Sequence, residues 1–197
     1  MECKADNPVS WLAGRNVPPV VEAYFELCRL KQLYRQGWLK RGIPRQRCES
    51  IAEHSFGVAL LTLWLSAAHF PELDAGKALR MALLHDLGEI YAGDIIPGDN
   101  ISAQEKHRRE AQSVERVLGK LPNGEDYLAC WQEFELGETA EARFVRQIDR
   151  LEMGLQAGVY ASQGFENLDE FFASARQGLS EPCLVELIEA VRVLSQK

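Results

Sequence analysis

The chain has 197 residues, with 29 Asp and Glu against 22 Lys and Arg, for a formal net charge of −7. That length suits one domain that folds without disulfides, and an apolar content of 46% excludes a disordered chain. The acidic balance argues against sequence-independent nucleic-acid binding, so an anionic substrate must be met locally, by a metal ion or a few arginines.

The five cysteines, Cys3, Cys28, Cys48, Cys130 and Cys183, are scattered and form no CxxC pair. This argues against a zinc ribbon or a thioredoxin-like redox site and fits a reducing, cytoplasmic compartment. The opening segment carries Glu2 and Asp6 and no apolar core, so it does not read as a secretory signal.

Strand signals are nearly absent and helical periodicity is common, so the expected fold class is all-α: one compact domain over residues 1–197. Val20, Tyr24, Leu27 and Lys31, widened by Phe25, Leu30 and Leu33, predict a helix over about 17–34, with Pro18 and Pro19 in its first turn. The next segment, RQGWLKRGIPRQRCES, is rich in Gly, Pro and Arg and reads as a basic connecting loop. Ser50 with Glu53 forms a capping box that starts a helix to about Ala68, with Phe56, Leu60, Leu63 and Trp64 on one stripe. The uncharged stretch between Glu53 and Glu72 falls short of the ~20 apolar residues of a membrane span and contains two histidines, so it reads as a core helix. No membrane partner is expected.

A second apolar helix is predicted over 75–91, deeply buried through Leu79, Ala82, Leu83 and Leu87. Gly93, Pro97 and Gly98 break the pattern. Ser102 with Glu105 forms another capping box and opens a charged helix to about Leu118. Further helices are predicted over 125–135, 139–161, 167–176 and 183–195.

The sharpest feature is ALLHDLGEIYAGD. His85 and Asp86 are adjacent on a segment expected to be buried, where an unpaired carboxylate is costly. A cation resolves that cost, because both side chains then serve as ligands. His54, one turn into the preceding helix, and Asp149, among Phe144, Val145, Ile148 and Leu151, supply two more candidates. Two imidazoles and two carboxylates suit a divalent ion of intermediate hardness and leave positions for water. Taken singly, each residue also has a structural reading; Asp149 could pair with Arg146 or Arg150.

The ordered set His54, His85-Asp86, Asp149 resembles the HD-domain metal-dependent phosphohydrolases. The segments EHS, HDxxE, GDI-x-P-x-DNIS and EKHRRE, within residues 20–160, are similar to the branch of small 5′-deoxynucleotidases, which release phosphate from deoxynucleoside 5′-monophosphates. The resemblance implies a helical HD-domain fold, with residues 161–197 adding C-terminal helices. It implies a divalent ion (Mn, Co, Mg, Fe, Ni or Zn) on His54, His85, Asp86 and Asp149, a small nucleotide as substrate, and a homodimer. It also implies roles for Glu89 and Asp94 at the reaction centre. One is orienting the attacking water or donating a proton to the leaving 5′ oxygen. The other is holding a second, weaker ion such as Mg²⁺, with the backbone carbonyl of Ile95 contributing. Arg35 aligns with an arginine that contacts substrate, with Trp38 following it. That family's bacterial members place a Trp directly after the Arg, whereas Gln36 stands here. Arg41, Arg45 and Arg47 carry no assignment, and His69 and His107 read as structural or exposed. The rival readings are a phosphodiester or triphosphate hydrolase on the same scaffold, a non-catalytic nucleotide-binding protein, and a di-iron oxygenase.

Overall fold

The computed structural model describes residues 2–195, and the regular elements among them are helical. A short 3₁₀ turn at Pro8–Leu12 precedes α1 (Pro19–Leu27), α2 (Gln36–Lys40), α3 (Ile51–His69), α4 (Ala75–Leu84) and α5 (Glu89–Ala92). There follow α6 (Ala103–Leu118), α7 (Gly124–Leu136), α8 (Ala140–Ser162), α9 (Asp169–Gly178) and α10 (Pro182–Ser195). The all-α expectation holds. By residue contacts the chain divides into two units, Met1–Ser55 with Leu84–Gln132, and Phe56–Leu83 with Glu133–Lys197.

In the first unit, α1, α5 and α6 close over a core of Ala23, Leu30, Leu33, Ile51, Leu87, Ile90, Val114, Val117, Leu118 and Trp131. The helix expected over 17–34 stops at Leu27, residues 28–32 continue as tight turns, and Leu33 is extended, bridging to Cys3. The reason is tertiary. The Leu33 and Leu30 carbonyls accept the amides of Ile51 (3.0 Å) and Ala52 (3.3 Å), donors that the first turn of α3 cannot satisfy internally. A continuous helix would have kept those carbonyls for itself. Glu26 is fully buried beneath the same elements, and its carboxylate accepts from Tyr91 Oη (2.6 Å) and Lys120 Nζ (2.7 Å). Burial, and then that carboxylate, push the Tyr91 hydroxyl well above its ordinary pKa.

Two corrections concern the apolar helices. The helix expected over 75–91 breaks after Leu84, and residues 85–88 form turns before the short α5. Leu83, expected in the core, is 54% exposed. The stripe of α3 is also reversed: Phe56, Leu63 and Trp64 are exposed, while Val58, Ala59, Thr62 and Ser66 are buried. Both faces of α3 are apolar, so periodicity could not choose between them, and the face of smaller side chains is the one the fold takes inside. By length and composition alone α3 could cross a membrane; a third of that window is buried within the protein.

Capping matches expectation at α3, where Glu53 Oε2 accepts from the Ser50 amide at 2.6 Å and Glu53 N donates to Ser50 Oγ at 3.3 Å. At α6 only half the box forms. Ser102 Oγ accepts from the Glu105 amide at 3.1 Å, but the Glu105 carboxylate turns to Arg108 and Arg109.

In the second unit α8 packs on α9 and α10. Close approach is made at Gly154, where a Cβ would stand 2.8 Å from that of Ala175 and collide with Ile188. Substituting Gly154→Val should therefore destabilise the fold by at least about 2 kcal/mol through overpacking, lowering Tm by roughly 4–8 °C. A thermal melt followed by circular dichroism measures this, and an unchanged Tm would contradict the packing described.

Candidate metal-dependent active site

The first unit brings His54, His85, Asp86, Glu89, Asp94 and Arg35 to one place. His54 stands in the first turn of α3, which the Ser50–Glu53 box starts at a defined residue, and it is fully buried. His85 and Asp86 do not lie mid-helix as expected but on the turn that follows α4. There the Leu87 amide bonds back to Leu84 O (3.0 Å) and the Glu89 amide to Asp86 O (3.1 Å). The His85 carbonyl, released from helical pairing, accepts from Trp131 Nε1–H at 3.3 Å. Trp131 is buried, and the exposed His107 ring stacks on it at 5.8 Å. His69 lies exposed at the end of α3.

Asp86 is the convergence point. Its Oδ2 lies 3.3 Å from His85 Nε2, 3.7 Å from His54 Nε2 and 3.6 Å from an Arg35 guanidinium nitrogen. Burial works against its ionisation, but His85, Arg35 and His54 override burial and hold the carboxyl far below the ordinary range. Glu89 is shifted the other way: burial first, then the Asp86 and Asp94 charges, push it well above its usual value. Two neighbouring carboxyls with opposed environments are the arrangement that separates a proton carrier from a permanent anion.

Asp94 follows Gly93, whose φ of 81° is the left-handed turn that ends α5 and swings Asp94 towards α2. Its Oδ2 accepts from the Gln36 amide at 2.5 Å, and its Oδ1 faces Arg35 at 3.9 Å. The expected basic loop thus contains α2, which begins where Asp94 receives it. Arg35 is set by its own backbone: its amide donates to Glu49 O at 3.1 Å, and its carbonyl accepts from Cys48 Sγ at 3.6 Å. Trp38, expected on the substrate, is 2% exposed and donates its indole N–H to Glu49 Oε1 at 2.7 Å. It shapes the segment that presents Arg35 rather than the open surface of the site. Arg41, Arg45 and Arg47 are exposed, and Arg45 pairs with Glu2 at 2.5 Å.

Helix α6 closes the site from another side. Gly88, between Asp86 and Glu89, admits it: a Cβ there would lie 2.6 Å from the Cβ of Glu110. Lys106 of α6 donates to the Ile95 carbonyl at 3.4 Å and faces Glu110 at 3.6 Å. Glu49 and Trp131 were not singled out from the sequence; Gln36 was noted only as a departure after Arg35, Cys48 only as one of the scattered cysteines, and Lys106 only through its place in EKHRRE. Asp149 belongs to the second unit, on α8, with Val145, Ile148 and Leu151 buried around it. Its neighbour Arg146 caps α7, donating to the carbonyls of Phe134 (3.0 Å) and Glu135 (2.6 Å).

The donor set in the first unit suits a cation. Asp86 Oδ2 and Glu89 Oε2 are buried and accept no hydrogen bond among the described residues. Ligand atoms sharing one ion at ~2.1 Å stand about 3.0–3.4 Å apart, which the His85–Asp86 separation of 3.3 Å meets. Mixed imidazole and carboxylate donors accept several divalent ions.

The HD domain family matches residues 27–191, and the chain belongs to that family. The match runs past the motif-bearing core expected over 20–160 and takes in α9 and most of α10. The chain is 34% identical over 188 residues to the 5′-deoxynucleotidase HDDC2 of Bos taurus, covering 92% of this chain and 88% of that protein. It is 34% identical over 153 residues to the 5′-deoxynucleotidase hdd1 of Schizosaccharomyces pombe, covering 74% and 75%. Among solved structures, the PH0347 protein of Pyrococcus horikoshii OT3 is similar with a TM-score of 0.71 and 34% identity, over 89% of this chain and 98% of that one.

The surroundings of Arg35 make a checkable point. Burial, then the Glu49 charge, push the Cys48 thiol up to about 12. At pH 9 Cys48 then stays almost wholly protonated, whereas an ordinary thiol is largely thiolate. Alkylation with mass-spectrometric mapping at that pH should label the exposed Cys3 readily and Cys48 only after unfolding.

Proposed function

We propose that this chain is a divalent-metal-dependent phosphomonoesterase that hydrolyses deoxynucleoside 5′-monophosphates to nucleoside and phosphate in the cytoplasm. The observation that carries the reading is the convergence of His54, His85 and Arg35 on one buried oxygen of Asp86. The names of the relatives from Bos taurus and Schizosaccharomyces pombe support the substrate class, and the free cysteines suit a reducing compartment.

His54, His85 and Asp86 would hold the ion, with Asp149 as the fourth ligand. When bound, such an ion polarises a phosphoryl oxygen and acidifies a water molecule. Arg35, held by Asp86 and Asp94 and by the backbone of Glu49, directs a forked cation at the charge that builds on the phosphoryl oxygens. Glu89 sits where burial favours its protonated form, which suits it to hand a proton to the leaving 5′ oxygen. Asp94, fixed by the Gln36 amide, orients the attacking water. No side chain in the set is placed as a nucleophile, so hydrolysis proceeds without a covalent intermediate.

A phosphate-release panel over deoxy- and ribonucleoside monophosphates, with Mn²⁺, Co²⁺, Mg²⁺ or a chelator, tests this reading. Turnover of deoxynucleotides that the chelator abolishes is expected. Asp86→Ala should lower kcat/KM at least about 100-fold with the circular dichroism spectrum unchanged, because removing a ligand exceeds the effect of removing its support. An Asp86→Ala protein that keeps most of its activity would defeat the mechanism.

The chain also acts, in this reading, as a homodimer. The exposed Phe56, Leu63 and Trp64 of α3 form an apolar stripe of the kind that a second copy covers. Light scattering after size exclusion should give twice the chain mass for the wild type and the chain mass for Trp64→Glu. A monomeric wild type would remove the dimer while leaving the chemistry intact.

A further inference from the structure

Helix α5 begins at Glu89 and is four residues long. A single turn has no stability of its own, so its neighbours must set where it lies. Ile90 packs into the core of the first unit. Tyr91 makes two bonds to other helices. Its amide donates to Ser113 Oγ of α6 at 3.2 Å, and its hydroxyl donates to Glu26 Oε1 of α1 at 2.6 Å. Glu26 is fully buried. Its other oxygen accepts from Lys120 Nζ at 2.7 Å, and Lys120 is shared with Glu22 at 2.9 Å. Arg116 of α6 lies 3.7 Å from Glu26 Oε1 and 4.0 Å from the centre of the Tyr91 ring. The Ser113 bond holds one backbone point of α5. The phenol bond, at the far end of a long side chain, holds a second, and two points fix an orientation that one does not.

We infer that Glu26 is a positioning residue for the reaction: through the Tyr91 hydroxyl it fixes α5 against α1, and so sets where Glu89 meets the leaving 5′ oxygen. This rests on the role given to Glu89 above. Glu26 stands outside the donor set and acts only through Tyr91. A buried ion pair adds little stability over apolar side chains of similar volume, because desolvation offsets its attraction. What the carboxylate supplies is a direction. Lys120 and Arg116 hold it in one place, and the phenol is aimed at it. A catalytic group misplaced by about 1 Å loses much of its effect, even when the cause lies far from the chemistry.

The test is steady-state phosphate release from a deoxynucleoside 5′-monophosphate by the full-length protein, with Tm followed by circular dichroism. Tyr91→Phe should lower kcat about 10-fold, with KM within about twofold and Tm within about 4 °C of the wild type. Glu26→Met, which fills a similar volume without an acceptor, should do the same. The double variant should lose no more than either alone, because both remove one bond. Glu26→Gln should recover most of kcat, since its carboxamide oxygen can accept from Lys120 while its NH₂ donates to the Tyr91 oxygen. If Glu26→Met fails to fold, Tyr91→Phe decides, because it leaves Glu26 paired with Lys120. A wild-type kcat in folded Tyr91→Phe, a loss carried by KM, or a Glu26→Gln protein as slow as Glu26→Met overturns the inference and leaves the phosphomonoesterase reading standing. A wild type that releases no phosphate overturns that reading, and this inference with it.

Discussion

A carboxylate kept ionised inside the protein is the constraint on which the rest of the first unit depends. Asp86 carries a charge in a place where charges are expensive, and it is tolerated because two imidazoles and a guanidinium face one of its oxygens. Those groups come from three separate segments: the turn before α2, the first turn of α3, and the break after α4. Each segment has a backbone device that holds it. Glu49 receives the Arg35 amide, the Ser50–Glu53 box starts α3, and Trp131 takes the His85 carbonyl that the broken helix releases.

The break after Leu84 shows how the fold serves the site. A continuous helix would have aimed His85 and Asp86 about 100° apart on a straight cylinder. The turn over residues 85–88 instead lets His85 and Asp86 approach within 3.3 Å, and it places Gly88 where α6 can come close. Helix α6 then delivers Lys106 to the Ile95 carbonyl. Positive charge thus reaches the carboxylates from two elements, Arg35 beside α2 and Lys106 on α6. An acidic chain concentrates the few cations that its proposed chemistry needs at one point.

The α3 helix illustrates the opposite economy. One face carries small or polar side chains, Ala59, Thr62 and Ser66, and is buried. The other carries Phe56, Leu63 and Trp64 and is left exposed. Size rather than hydrophobicity decided which face packed inside, because close helix approach needs small residues, as Gly154 shows on α8.

The helical class, the capping box at Ser50 and the metal-type residues His54, His85 and Asp86 were legible in the amino-acid order, since periodicity, caps and an ordered set of donors are local signals. The early end of α1, the short α2, the exposed stripe of α3 and the break after α4 were not. Each is settled by a partner distant in the chain: Leu33 and Leu30 for Ile51 and Ala52, Asp94 for Gln36, Trp131 for His85. A hydrogen-bond donor or acceptor can be counted along the chain. The group that satisfies it is chosen only when the chain has folded and every buried polar atom has competed for its neighbours.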